Sequence, residues 1–83
     1  MKIDIDKIIK INGIYISQLW KDYYAVEVIY KSNNQFFRIR YPYSIRTDAE
    51  NTLKQIKQKQ SDIKRPTYKP LIHLMDSNGE KVL

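Results

Sequence analysis

The 83-residue sequence has no cysteine. That excludes a disulfide framework, a thiolate metal site and a cysteine nucleophile, and it fits a reducing cytoplasm, where the protein is expected to reside. Glycine occurs only at positions 13 and 79, so no glycine-rich loop can cradle a phosphate. The single histidine, His73, stands in "LIHLM". Its alternation with the apolar Leu71 and Met75 reads as a packed or edge histidine, and no second ligand at metal spacing accompanies it. Asp4 and Asp6 in "KIDID" read as a solvated face or a helix cap. The run "DSNGE" at 76–80 lacks the ligand series of a calcium loop and reads as a turn. No apolar run is long enough to cross a bilayer, and the opening "MKIDIDKIIK" has no leader-like apolar stretch, so no membrane association is expected. These absences predict a non-enzyme without cofactor or metal.

The length predicts a single domain over residues 1–83 with a small core. The net charge of +6 is unevenly distributed. Residues 1–30 balance to zero. Residues 31–69 carry ten Lys and Arg against Asp48, Glu50 and Asp62, for +7, and residues 70–83 carry −1. A basic middle segment predicts attraction to nucleic acid or to an acidic protein surface. The abundance of Lys, Ile, Asn and Tyr resembles, in style, small proteins of phages and mobile elements from AT-rich hosts. Such proteins often inhibit host complexes by binding them.

The clearest local pattern is a hairpin. In "YYAVEVIYK", Tyr24, Val26, Val28 and Tyr30 share one face; in "FFRIRYPY", Phe37, Ile39 and Tyr41 do. Asn tolerates positive φ, so Asn33-Asn34 can form a two-residue type I′ turn. That turn sets Tyr30 opposite Phe37, Val28 opposite Ile39 and Val26 opposite Tyr41, all apolar and on one side. The other side pairs Lys31 with Phe36, Ile29 with Arg38 and Glu27 with Arg40. Pro42 should end the second strand or lie where it forms an edge.

Upstream, residues 12–19 predict a further strand with a turn at Trp20-Lys21-Asp22. Asn12-Gly13 predicts a second hairpin with "KIIKI", placing Ile11 opposite Ile14 and Ile9 opposite Ile16. A short helix capped by Asp6 is the alternative for residues 3–12. "TDAE" at 47–50 predicts a capping box led by Thr47. The helix it opens would carry Ala49, Leu53, Ile56 and Ile63 on its apolar stripe and end before Arg65-Pro66. Leu71–Met75 predicts a strand, Asp76–Gly79 a turn, and Lys81–Leu83 a return pairing. The fold class expected is α+β: a small antiparallel sheet, a β-meander of three or more strands, with one α-helix on one face and a C-terminal strand. The helix should cover the more apolar hairpin face.

Binding is the function class this pattern favours. Lys31, Phe36, Arg38 and Arg40 would share a sheet face, with Arg46 just beyond and Lys54, Lys57, Lys64 and Arg65 adding phosphate contacts. Ten aromatic residues exceed what one helix can bury. Tyr15, Trp20, Tyr23, Tyr41, Tyr43 and Tyr68 cannot all be buried by it, and Tyr15, Trp20, Tyr23 and Tyr43 are the candidate interface anchors, for a protein partner or for a homodimer through the uncovered sheet face.

Overall fold

In the computed structural model, which describes residues 1–83, a single 3-10 turn at Ile5–Lys7 leads into strand β1 (Ile8–Ile16). Strands β2 (Tyr24–Ser32) and β3 (Gln35–Tyr43) follow, then helix α1 (Arg46–Lys57) and strand β4 (Leu71–Leu74). The strands form one antiparallel sheet in the order β1-β2-β3-β4. The β2–β3 hairpin has the expected register, with Tyr30 opposite Phe37, Val28 opposite Ile39 and Val26 opposite Tyr41. Asn33 and Asn34 both take positive φ, 51° and 62°, as a type I′ turn requires.

The helix lies on the apolar face, where Val26, Val28, Ile39, Tyr41 and Tyr43 bury against Ala49 and Ile56. Each such aliphatic side chain contributes about 1.5–3 kcal/mol when fully withdrawn from water. Ile63 joins this core from the segment after the helix, not from the helix itself. It is held there by its N–H donating to the Met1 carbonyl, beside a bond from Ile3 N–H to the Ser61 carbonyl.

Two local expectations are corrected. Asn12-Gly13 does not close a hairpin; Ile8, Ile9 and Ile11 do lie in a strand, but it is the same strand that carries Ile14 and Ile16. β1 runs straight through, with register steps between Ile8 and Lys10 and between Ile11 and Gly13. Gly13 takes φ +105° at the second step. Ile8, Ile11 and Ile14 are three residues apart, which in a regular strand would alternate faces. Each bulge inserts one extra residue, so all three reach the core side, opposite Tyr30, Val28 and Val26.

The capping box also does not form. Ile45, extended at φ −113°, is the N-cap, and its carbonyl accepts from the N–H groups of Asp48 and Ala49. Thr47 therefore lies inside the first turn and caps nothing. At the other end the helix stops at Lys57, well before Pro66. Lys59 takes the left-handed conformation (φ 60°), Lys59 N–H bonds the Ile56 carbonyl and Gln60 N–H bonds the Gln55 carbonyl. This is a Schellman closure with lysine where glycine is usual.

The tail follows expectation: after β4, a turn at Asp76–Gly79 returns the chain so that Met75 pairs with Val82. β4 covers β3 only from Phe37 to Arg40. Pro42 thus lies on a locally open stretch of β3, where its carbonyl accepts from Tyr68 N–H.

Candidate functional site: an aromatic groove on the open sheet face

The helix covers one face of the sheet. Strand alternation places Tyr15, Glu27, Arg38 and Arg40 on the other. That second face is partly closed, with Ala25, Ile29 and Pro42 buried. At its centre Glu27 receives two arginines. Arg40 Nε donates to Glu27 Oε1 at 2.8 Å, and Arg38 Nε lies 3.6 Å from the same oxygen without hydrogen-bond geometry to any group. Asn12 Nδ2 donates to the second oxygen at 2.8 Å. Burial alone would push the Glu27 carboxyl up, but the Arg40 and Asn12 hydrogen bonds and the two arginine charges outweigh it and hold the carboxyl below its ordinary range.

Arg40 is committed a second time. Its guanidinium carbon lies 3.7 Å from the centre of the Tyr15 ring. Beyond it the chain assembles a row of rings. Trp20 meets Tyr23 edge-on at 6.2 Å, and Tyr23 stacks with Tyr68 at 5.8 Å between centroids. Together with Tyr15, Leu19, Lys69 and Leu71 they line an open groove of about 430 Å³. The 17–22 turn supports its rim: Ser17 Oγ accepts from the N–H groups of Leu19 and Trp20. Asp22 takes positive φ, and its carbonyl accepts from the Tyr68 hydroxyl. Leu19 is left 93% exposed and Trp20 66% exposed.

The structure splits the residues expected to form one basic surface. Lys31, Phe36, Arg38 and Arg40 are on the open face, whereas Arg46, Lys54, Lys57, Lys64 and Arg65 belong to the helix and the segment behind it, on the far side. Phe36 is not a free stacking platform. Lys31 Nζ lies 5.4 Å from its ring centre, and Gly79 packs so close that a Cβ there would stand 2.9 Å from the ring. Lys64 pairs with Asp48 at 2.9 Å, and Arg46 lies 3.9 Å from Glu50. Lys54, Lys57 and Arg65 are exposed and form no ion pair.

No family description, curated protein or solved structure matches this chain.

Of the expected anchors, Tyr15, Trp20 and Tyr23 do come together. Tyr43 does not join them. It is fully buried on the helix side, two residues from Tyr41 on the same strand face, and its hydroxyl donates to the Lys64 carbonyl at 2.5 Å. Sequence reasoning missed Leu19, Lys69 and Leu71 as lining residues, and counted Tyr68 as a surplus aromatic without placing it here. The available signal was "RPTYKP", where Pro66 and Pro70 stiffen the connection that carries Tyr68 back to the sheet. His73 stands opposite Arg38 on the open face of the edge strand β4, half-buried: an edge histidine, not one turned into the core under the helix. Its alternation with Leu71 on β4 turns it to that side. No helix is long and apolar enough to cross a membrane.

Proposed function

We propose that this protein is a non-enzymatic interaction module, acting in the cytoplasm, that docks a protein partner through the aromatic groove. One observation carries this reading. Arg38 and Arg40, the centre of the basic face, are engaged by Glu27 and Tyr15, while Trp20, Leu19 and the neighbouring tyrosines remain open to solvent. Trp, Tyr and Arg dominate the energetics of protein interfaces, and the groove concentrates all three. An inhibitor or assembly factor of a larger complex is the class of protein such a module fits.

Contact with nucleic acid is the second reading, supported by the exposed, unpaired Lys54, Lys57 and Arg65 on the helix side. The two differ in salt response. Phosphate contacts weaken steeply as counterions are added, whereas desolvated aromatic contacts do not. Capture from host lysate on the immobilised chain, with and without nuclease and across a salt series, tests this. The docking reading expects one protein retained after nuclease with weak salt dependence. Material lost on nuclease treatment would replace it with the nucleic-acid reading.

A further inference from the structure

We infer that the occupant of the groove is a proline-rich segment in the polyproline II conformation, with an acidic residue beside its prolines. The inference rests on the docking reading above and names the partner's chemistry.

The first support is shape. Trp20, Tyr23 and Tyr68 pack against one another in a row, with centroids 6.2 and 5.8 Å apart. Rings arranged so leave shallow furrows, not a deep hole for one large side chain. A polyproline II chain rises about 3.1 Å per residue, so two residues span the interval between neighbouring rings. Pyrrolidine rings are short and rigid, and their chain loses little entropy on docking.

The second support is the hydrogen-bonding inventory. The Trp20 indole N–H and the hydroxyls of Tyr15 and Tyr23 make no hydrogen bond within the chain. Burial, only partly opposed by Arg40, keeps the Tyr23 phenol above its ordinary value, so it retains its proton to donate. Apolar walls with free donors suit a ligand that offers carbonyls and lacks N–H groups, which describes a proline run. The groove also lies over a sheet face and not along an edge, so strand addition does not explain it.

The third support is charge. Arg40 is already paired, but Lys69 lines the groove and Lys21 adjoins Trp20, and neither has an ionic partner.

The test titrates three probes into the full chain: an oligoproline peptide with a glutamate at each end, a glycine-serine peptide of equal length and ends, and an oligothymidylate. Trp20 emission and amide chemical shifts report binding. The expected result is a saturable response to the proline peptide alone, with shifts centred on Trp20, Tyr23 and Tyr68. Tyr68→Ala, at a half-exposed site, should weaken it by about tenfold or more. Lys69→Glu should weaken it too, and exchange of the peptide's glutamates for lysines should restore binding to that variant. No saturable response, an equal response to the glycine-serine peptide, or displacement of the same resonances by oligothymidylate instead would overturn the inference. Because the probes are defined peptides, a failure here is separable from a failure to capture any protein partner.

Discussion

Arg40 is clamped between Tyr15 and Glu27: its guanidinium carbon lies 3.7 Å from the tyrosine ring centre while its Nε donates to the carboxylate at 2.8 Å. These residues come from β1, β3 and β2, so one side chain ties three strands together on the face the helix leaves open. The arginine therefore supports the groove floor more than it offers charge to solvent.

Removing it should be costly. Arg40→Ala leaves the Glu27 carboxylate with Asn12 and a poorly oriented Arg38. The expected loss is about 1.5–3 kcal/mol, the usual range for a hydrogen bond to a charged group. Arg40→Lys should recover only part, because an ammonium cannot both stack on Tyr15 and retain the planar fork. Urea unfolding of the two variants beside the parent measures both.

Glu27 gives the fold an acid-sensitive component. Its folded-state pKa lies below the ordinary value of a glutamate carboxyl, so its stabilisation is fully present above that ordinary value. It is lost as pH falls through the lower folded-state value. Asp62 and Asp76 shift in the same direction, so the decline of the parent in the acid range is shared. Glu27→Gln should be less stable at neutral pH and show a shallower decline in the acid range. Parallel curves for the two proteins would contradict the assignment.

Thr52 is the one polar side chain sealed in the core, and its hydroxyl has no hydrogen-bond partner. The Tyr43 hydroxyl, which donates to the Lys64 carbonyl, lies nearby and keeps a lone pair, but Thr52 Oγ1 does not reach hydrogen-bond geometry with it. Thr52→Val keeps the shape and removes an unsatisfied group, so it should stabilise by about 1 kcal/mol. A fall in melting temperature would show that the hydroxyl does find a partner.

Lys59 closes the helix in the left-handed region at φ 60°. Its side chain is exposed and makes no ion pair. Lys59→Gly should therefore stabilise by about 1 kcal/mol, the relief of Cβ strain less the added freedom of the unfolded chain. Thermal melts followed at the helix band of the circular dichroism spectrum give the sign directly.

The hairpin was legible because two independent signals agree on it. The Asn33-Asn34 turn and the Val26, Val28, Ile39, Tyr41 alternation select the same register. The start of the sheet was not legible, because spacing of three between Ile8, Ile11 and Ile14 belongs equally to a helix. Only pairing with β2 reveals the two bulges that turn all three inward. The helix end was masked for a related reason: Lys59, not glycine, occupies the left-handed position, so the pattern runs on toward Pro66. For the site, Tyr15, Trp20 and Tyr23 could be named as surplus aromatics. Their meeting with Tyr68 depends on a chain return that no local periodicity encodes. Tyr43 was misplaced because a count of aromatics cannot say which of them one helix covers.

The most direct test of the account compares two double variants for retention of a nuclease-resistant partner, with folding checked by circular dichroism. One removes exposed groove rings, Trp20→Ala with Tyr68→Ala; the other reverses the free helix charges, Lys54→Glu with Lys57→Glu. The account predicts that the first loses the partner and the second keeps it. Retention by the first and loss by the second would move the binding surface to the basic helix side and contradict the assignment of the groove.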